Sequence, residues 1–267
     1  MAEWKSRTEY WADVGPRIKG FLENQRRADV VSALEKCLEF FSYNSEDLSK
    51  RATANTAIVP KLDLFVVYAH DQIRAAPILY SNFNLAPAAI AARATFENCV
   101  SQRYIIKNAD SAKLADQYNR FKDIEKIRGH RNSPFLSPLS DAEESKILDK
   151  NPEWRDADTG KLVKKPHWTG KSGTTFEQLV QAVDMKDYYS LYRTTSAFVH
   201  ASPITLNLYV SGRGLGSIST EIQARRMCLL IAMFALETLV DYCKFFGVTY
   251  DAKDYYEITC ELNRLTS

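Results

Sequence analysis

Three observations predict an all-α fold, a bundle of amphipathic helices. Glycine is scarce, at 10 of 267 residues, whereas a doubly wound α/β sheet consumes glycine in its turns and phosphate loops. Long stretches are rich in Ala, Leu, Glu, Lys and Arg, the residues that lose least on entering a helix. Apolar positions also recur three and four apart over several windows of helix length. A chain of this size can bury a substantial core without disulfide or metal staples.

Taken in order, the chain opens on aromatic anchors, Trp4, Tyr10 and Trp11, followed by a periodic helix from about Ala28 to Tyr43 and a polar break at residues 44–48. Residues 1–55 read as a peripheral N-terminal helical extension, and 56–267 as the bundle domain. Within the bundle, helices from about Lys61 to Tyr80 and Ala86 to Lys107 should pair as an antiparallel hairpin, because only a short Asn82-Phe83-Asn84 turn joins them. A charged helix runs from about Ser111 to Arg128. Beyond Gly129 the periodicity dissolves among Pro134, Pro138, Pro152 and Pro166, which predicts a long irregular insertion at about 129–173 holding one short helix near Asp141 to Asp149. The core resumes with Phe176 to Val183, a helix from Tyr189 to His200, a segment ending at Tyr209 and a Gly-rich turn at 211–217. A long helix from about Ser219 to Phe246 and a terminal one from Asp251 to Leu265 complete it. The Gly-rich turn lacks both the preceding strand and the Lys-Ser/Thr ending of a phosphate loop.

Charge and cysteine content narrow the function classes. Thirty-five basic against 33 acidic residues leave a formal charge of +2, so any attraction to a polyanion has to be local. The five cysteines form no C-x-x-C pair and sit mainly in apolar helical patterns, as reduced core residues do. The charged N-terminus does not resemble a signal peptide, and the longest apolar run, Cys228 to Leu236, is too short to span a bilayer. A cytoplasmic protein without membrane association is expected, and neither a metal nor a cofactor is implied.

Four polar side chains carry the first candidate site: Tyr189, Arg193, Ser196 and His200, spaced four, three and four apart on one stripe of a helix. An arginine and a neutral histidine facing one phosphodiester suit ribonuclease chemistry, with imidazole moving the 2′-hydroxyl proton and guanidinium holding the phosphoryl oxygens. The same stripe can instead pair internally and set helix register. Arg93 and Glu97, four apart on an apolar helix, pair with each other or reach that stripe. Glu237 and Asp241 repeat the pattern and, with Glu97 and His70, raise the question of a di-metal bundle, although the Glu-x-x-His pairs of such bundles are missing. In Gly160–Ser172 four lysines, Lys165 among them, flank His167 and Trp168. This segment is either a single-strand grip with an exposed stacking face or a loop whose tryptophan plugs the bundle. A second basic cluster is formed by Lys122, Lys126, Arg128, His130 and Arg131.

The order Arg93-x-x-x-Glu97, His167-Trp168-x-Gly170-x-Ser172, Tyr192-x-x-x-Ser196-x-x-x-His200 resembles a widespread family of uncharacterised bacterial helical proteins, over roughly Leu64 to Phe246. Arg193 and His200, with six residues between them, are also similar to the Arg/His motif of the HEPN superfamily, helical bundles many of which are ribonucleases. Here Thr194 follows the arginine, where members commonly carry Asn, Asp or His. The resemblance implies a metal-independent endoribonuclease, a toxin or antiphage effector acting on RNA by 2′-hydroxyl attack, with a site shared in a homodimer and possible restraint by a partner protein. On that reading Arg193, His200 and Ser196 are catalytic, while Tyr189, Tyr192, Arg93, Glu97, His167, Trp168 and Lys165 position substrate or ring. The alternative is a non-catalytic binding or signalling module that recognises a nucleotide or a partner protein through the same seam.

Overall fold

The computed structural model describes residues 25–46, 48, 58–82, 84–133, 135–199, 210–211, 214–215 and 218–266. Its helices are α1 (Gln25–Ser45), α2 (Val59–Ser81), α3 (Leu85–Lys107), α4 (Ser111–Asn132), α5 (Asp141–Lys150), α6 (Phe176–Ala182), α7 (Tyr189–Val199), α8 (Ile218–Phe246) and α9 (Ala252–Thr266). The protein is all-α, as its periodicity predicts. A two-residue antiparallel pair joins Val210–Ser211 to Gly214–Leu215. The anchors Trp4, Tyr10 and Trp11, the site residue His200 and the segment to Tyr209 lie outside the described residues. No described helix is long and apolar enough to cross a membrane.

Helix α8 is the central element, packing on α2 and α3 most extensively and also on α1 and α9. Its middle is buried on nearly every side, through Cys228, Ile231, Ala232, Phe234, Ala235, Leu236, Leu239 and Cys243, as expected of a helix apolar all round. Burying a ring such as Phe96 or Phe234 completely contributes about 2–3 kcal/mol. Helix α1 places Val30, Leu34, Cys37 and Phe41 in this same core. Cys37, Cys99, Cys228 and Cys243 are buried and free, whereas Cys260 is exposed. Burial pushes the Cys37, Cys99 and Cys228 thiols up to about 12, which keeps them protonated and unreactive.

The α2–α3 hairpin closes as expected, with Asn82 Nδ2 donating to the Ile78 carbonyl at 2.8 Å and Asn84 N to Leu79 at 3.0 Å. Helix α4 does not stop at Gly129 but continues to Asn132. Contacts made by the added turn outweigh the cost of a helical glycine: His130 Nδ1 lies 2.7 Å from the Ser137 carbonyl oxygen, and Arg131 forms a bidentate pair with Glu144. The excursion that follows holds α5, started by a Ser140/Glu143 capping box, and a small core of its own. Ile124, Ile127, Leu148, Trp154 and Leu162 form that core, with Trp154 fully buried.

Candidate functional site

The site begins with the pair on α3. Arg93 Nε donates to Glu97 Oε1 at 3.0 Å, one turn along the helix, and Arg93 Nη2 donates to the Tyr192 hydroxyl of α7 at 3.0 Å. The guanidinium carbon also lies 4.6 Å from the Tyr192 ring centroid, so α7 is tied to α3 by a hydrogen bond and a cation–π contact together. Burial pulls the Arg93 pKa down, but the bonds to Glu97 and Tyr192 outweigh it and leave it above its ordinary value. Three phenols feel the same carboxylate: those of Tyr68, Tyr118 and Tyr192 are raised, by burial first and by the negative charge of Glu97 second.

The second component is the turn carrying His167 and Trp168. Trp154 Nε1 donates to the His167 carbonyl at 2.7 Å, so the small core of the excursion anchors the turn. Gly170 N returns to the same carbonyl at 3.0 Å, and Gly173 N donates to Lys165 O at 3.0 Å. Gly170 has φ +72°, and a Cβ there would lie 2.6 Å from Gln117 Nε2, a side chain buried on α4. Two requirements therefore select glycine at this position. Gly170→Ala is expected to lower stability by about 1–3 kcal/mol, read as a fall in the denaturation midpoint at unchanged m-value.

The ring of His167 has a defined state. Burial pushes its pKa down to about 4, so it is neutral at pH 7. The Thr169 backbone N–H donates to Nδ1 at 3.3 Å. Nδ1 also lies 3.0 Å from the Thr169 hydroxyl oxygen, so Thr169 holds this edge of the ring through both its backbone and its side chain. Trp168 is 7% exposed and packs edge-on against Tyr104 and Tyr118, at centroid distances of 5.7 and 5.2 Å. It is not the exposed stacking face that a basic, Trp-containing loop suggests, since two tyrosines from α3 and α4 draw it into the main core.

These components line a solvent-open cavity of about 540 Å³. Leu64, Phe65 and Tyr68 of α2 form one wall, Ala94, Glu97, Asn98 and Ser101 of α3 the floor, and Tyr118, Trp168, Phe176 and Tyr192 much of the remainder, with His167 beside them. Asn98 Nδ2 donates to the Phe65 carbonyl at 3.0 Å, which fixes α3 against α2 beneath the cavity. Phe176 is brought in by α6, started by a Thr175/Gln178 capping box, and lies 4.4 Å from the Tyr192 ring centroid. Among the lining residues Glu97 is the charged one, with 42% of its side chain exposed.

The structure thus brings Arg93, Glu97, His167, Trp168 and Tyr192 to one place. Arg193 is not among the cavity's lining residues and is exposed. Ser196 is half-buried and donates to the Tyr192 carbonyl at 2.8 Å, while Tyr189 stacks on Tyr192 at 5.8 Å and 17°. Lys165 is exposed, as are Lys164 and Lys171. Tyr68, Asn98, Ser101 and Tyr118 are site residues that sequence reasoning misses, since each sits in an apolar helical pattern where a core role is the default. In the second basic cluster Arg128 and Arg131 are offset locally by Glu125 and Glu144.

Elsewhere, Glu237 and Asp241 are engaged by Arg103 of α3, and Tyr255 of α9 donates to Glu237 at 2.7 Å. His70 stacks on Phe41 and lies 3.2 Å from Ser42 Oγ, in a different part of the bundle from Glu97. Among the described residues no group of three or more His, Cys, Asp or Glu is placed to hold a metal ion.

Compared with known proteins, residues 64–217 match the profile of a family described as being of unknown function, DUF5677. No curated protein and no solved structure matches the chain.

Proposed function

We propose that this chain, which belongs to the DUF5677 family of unknown function, is a helical binding protein that takes a nucleobase into the aromatic cavity at Glu97. One observation carries this reading: a cavity of about 540 Å³ walled by six aromatic side chains, with a carboxylate as the charged group of its lining. The volume lies within the range of small-molecule sites, roughly 300–1,000 Å³. Planar walls stack on a planar ligand, which contributes about 1–3 kcal/mol per base, and the carboxylate demands an N–H edge in return. It also repels phosphate, so a nucleotide enters base first. Lys164, Lys165 and Lys171, exposed and adjacent in sequence to His167 and Trp168, supply phosphate contacts outside the cavity. Isothermal titration of the purified chain with the four ribonucleoside monophosphates tests this. Saturable one-to-one binding of at least one, with a Kd of about 1–100 μM, is expected. Four titrations without heat up to ~1 mM, in a protein that melts cooperatively, reject it.

A second reading adds cleavage, and the exposure of Arg193 on α7, next to Tyr192 of the cavity wall, favours it. In this reading the chain is a metal-independent endoribonuclease of the HEPN type, acting as a toxin or antiphage effector and as a homodimer that a partner protein restrains. His200 serves as general base or acid, Arg193 stabilises the pentacoordinate phosphate, and Ser196 and Tyr189 position the reactants. Labelled RNA incubated in EDTA distinguishes it from simple binding. Cleavage to 2′,3′-cyclic phosphate ends, lost in Arg193→Ala and His200→Ala at matched folded content, is the result this reading requires. Intact RNA with the wild type leaves binding alone.

A further inference from the structure

Resting on the reading of the cavity as a nucleobase site, we infer that the base it selects is guanine, through Glu97. A carboxylate only accepts, and its two oxygens offer about four lone-pair sites. Arg93 Nε occupies one of them, on Oε1, and thereby holds the carboxylate plane against α3. The Tyr192 hydroxyl, which accepts from Arg93, hydrogen-bonds the same carboxylate, and with 42% of the Glu97 side chain exposed the sites left over are accessible to a ligand. Asn98 adds a further acceptor, because its Nδ2 is committed to the Phe65 carbonyl and its Oδ1 is left over.

The natural bases differ in what they present to such an acceptor. Guanine places two donors side by side, N1–H and the N2 amino group, and a carboxylate can take both at once. Adenine and cytosine each set one amino donor beside a ring-nitrogen acceptor, which a carboxylate oxygen repels. Uracil offers a single N3–H between two carbonyls, with the same repulsion on either side. Guanine also carries O6 next to N1–H. The neutral ring of His167, part of the same lining, carries one N–H and one lone pair for such an edge. Stacking between aromatic walls does not separate the bases, as every base has a π face. Discrimination therefore falls on Glu97.

Titration of the full chain with GMP, IMP, AMP, CMP and UMP, in the wild type and in Glu97→Gln, tests the inference. IMP keeps N1–H and O6 but lacks the N2 amino group. For the wild type, GMP is expected to bind at least ~10-fold more tightly than AMP, CMP or UMP, within the span of discrimination given by a bidentate pair, with IMP in between. Glu97→Gln keeps an oxygen for Arg93 but turns a donor toward guanine's donors, so the GMP preference is expected to vanish while weak binding of the other bases persists. Equal affinity for the five nucleotides, or preference for AMP, CMP or UMP, overturns the guanine assignment and leaves the cavity as a general base site. Binding of none of them overturns both. The wild-type ranking stands whether or not the variant folds, and a cooperative melt of Glu97→Gln qualifies its titration.

Discussion

Trp168→Ala is expected to lower stability by about 3–4 kcal/mol and to abolish nucleobase binding. The side chain is 7% exposed, belongs to the main core and makes edge-on contacts with Tyr104 and Tyr118, so truncation removes buried area and two aromatic pairs while opening a void next to the existing cavity. It also removes one wall of the proposed base site. Because the alanine variant sacrifices stability, Trp168→Phe separates the two roles. Phenylalanine keeps an apolar ring at the same place, with a stability loss of about 1.5 kcal/mol or less, while its smaller face weakens base binding by roughly 3- to 10-fold. Chemical denaturation reads the first quantity and titration the second. An alanine variant that stays within ~1 kcal/mol of the wild type and binds normally contradicts the placement of this indole.

Arg103→Ala is expected to cost about 3 kcal/mol, and to lower Tm by roughly 6–10 °C, without touching the cavity. Arg103 reaches from α3 to two carboxylates one turn apart on α8. Its Nε donates to Asp241 at 2.5 Å and its Nη2 to Glu237, which also accepts from Tyr255 of α9. Three helices therefore meet on one guanidinium, and the fork geometry of arginine suits two acceptors in a way lysine does not. Removing it leaves two carboxylates with like charge and reduced solvation. Burial already raises the Asp241 pKa, against the opposing pull of Arg103. Without the arginine that carboxyl rises further, so the native state binds more protons than the unfolded chain above the ordinary carboxylate range. The stability of the variant then increases as pH falls from 7 toward 5. Arg103→Lys should lie between variant and wild type. A melting temperature for Arg103→Ala equal to that of the wild type at pH 7 contradicts this account.

The helices were legible because their signals are local. Period-3.6 apolar spacing locates α2, α3, α8 and α9 to within one or two residues of their observed ends, whereas the capping boxes that start α5 and α6, Ser140 with Glu143 and Thr175 with Gln178, are seen in the structure and not in that spacing. Gly129 misled as a stop signal, since Arg131 and His130 find partners in residues 137–144 that local propensity does not contain. The cavity was legible only in fragments. Arg93 with Glu97 stands out as a charged pair on an apolar helix, and His167 with Trp168 as an aromatic island in a basic loop. Their convergence depends on tertiary packing that brings α2, α3, α4, α7 and the loop together.

The stripe on α7 shows the same limit at finer scale. Spacings of three and four identify a set of residues sharing a face, but not which face turns inward. Adjacent residues on a helix differ by about 100°, and Tyr192, not Arg193, points at Arg93. Tyr189, Arg193 and Ser196 therefore divide between a stacked ring, an exposed cation and a hydroxyl bonded to its own helix. Tyr68 and Tyr118 carried no sequence signal at all, because an aromatic residue in an amphipathic pattern is ordinarily core.

The most direct measurement is a crystal structure of the chain grown with saturating GMP. Density for a purine is expected within the cavity, stacked among Tyr118, Trp168 and Tyr192, with its N1 and N2 edge within hydrogen-bond distance of the Glu97 carboxylate and its phosphate outside, toward the lysines beside His167. Nucleotide density elsewhere on the molecule, with the cavity holding only solvent, would contradict it.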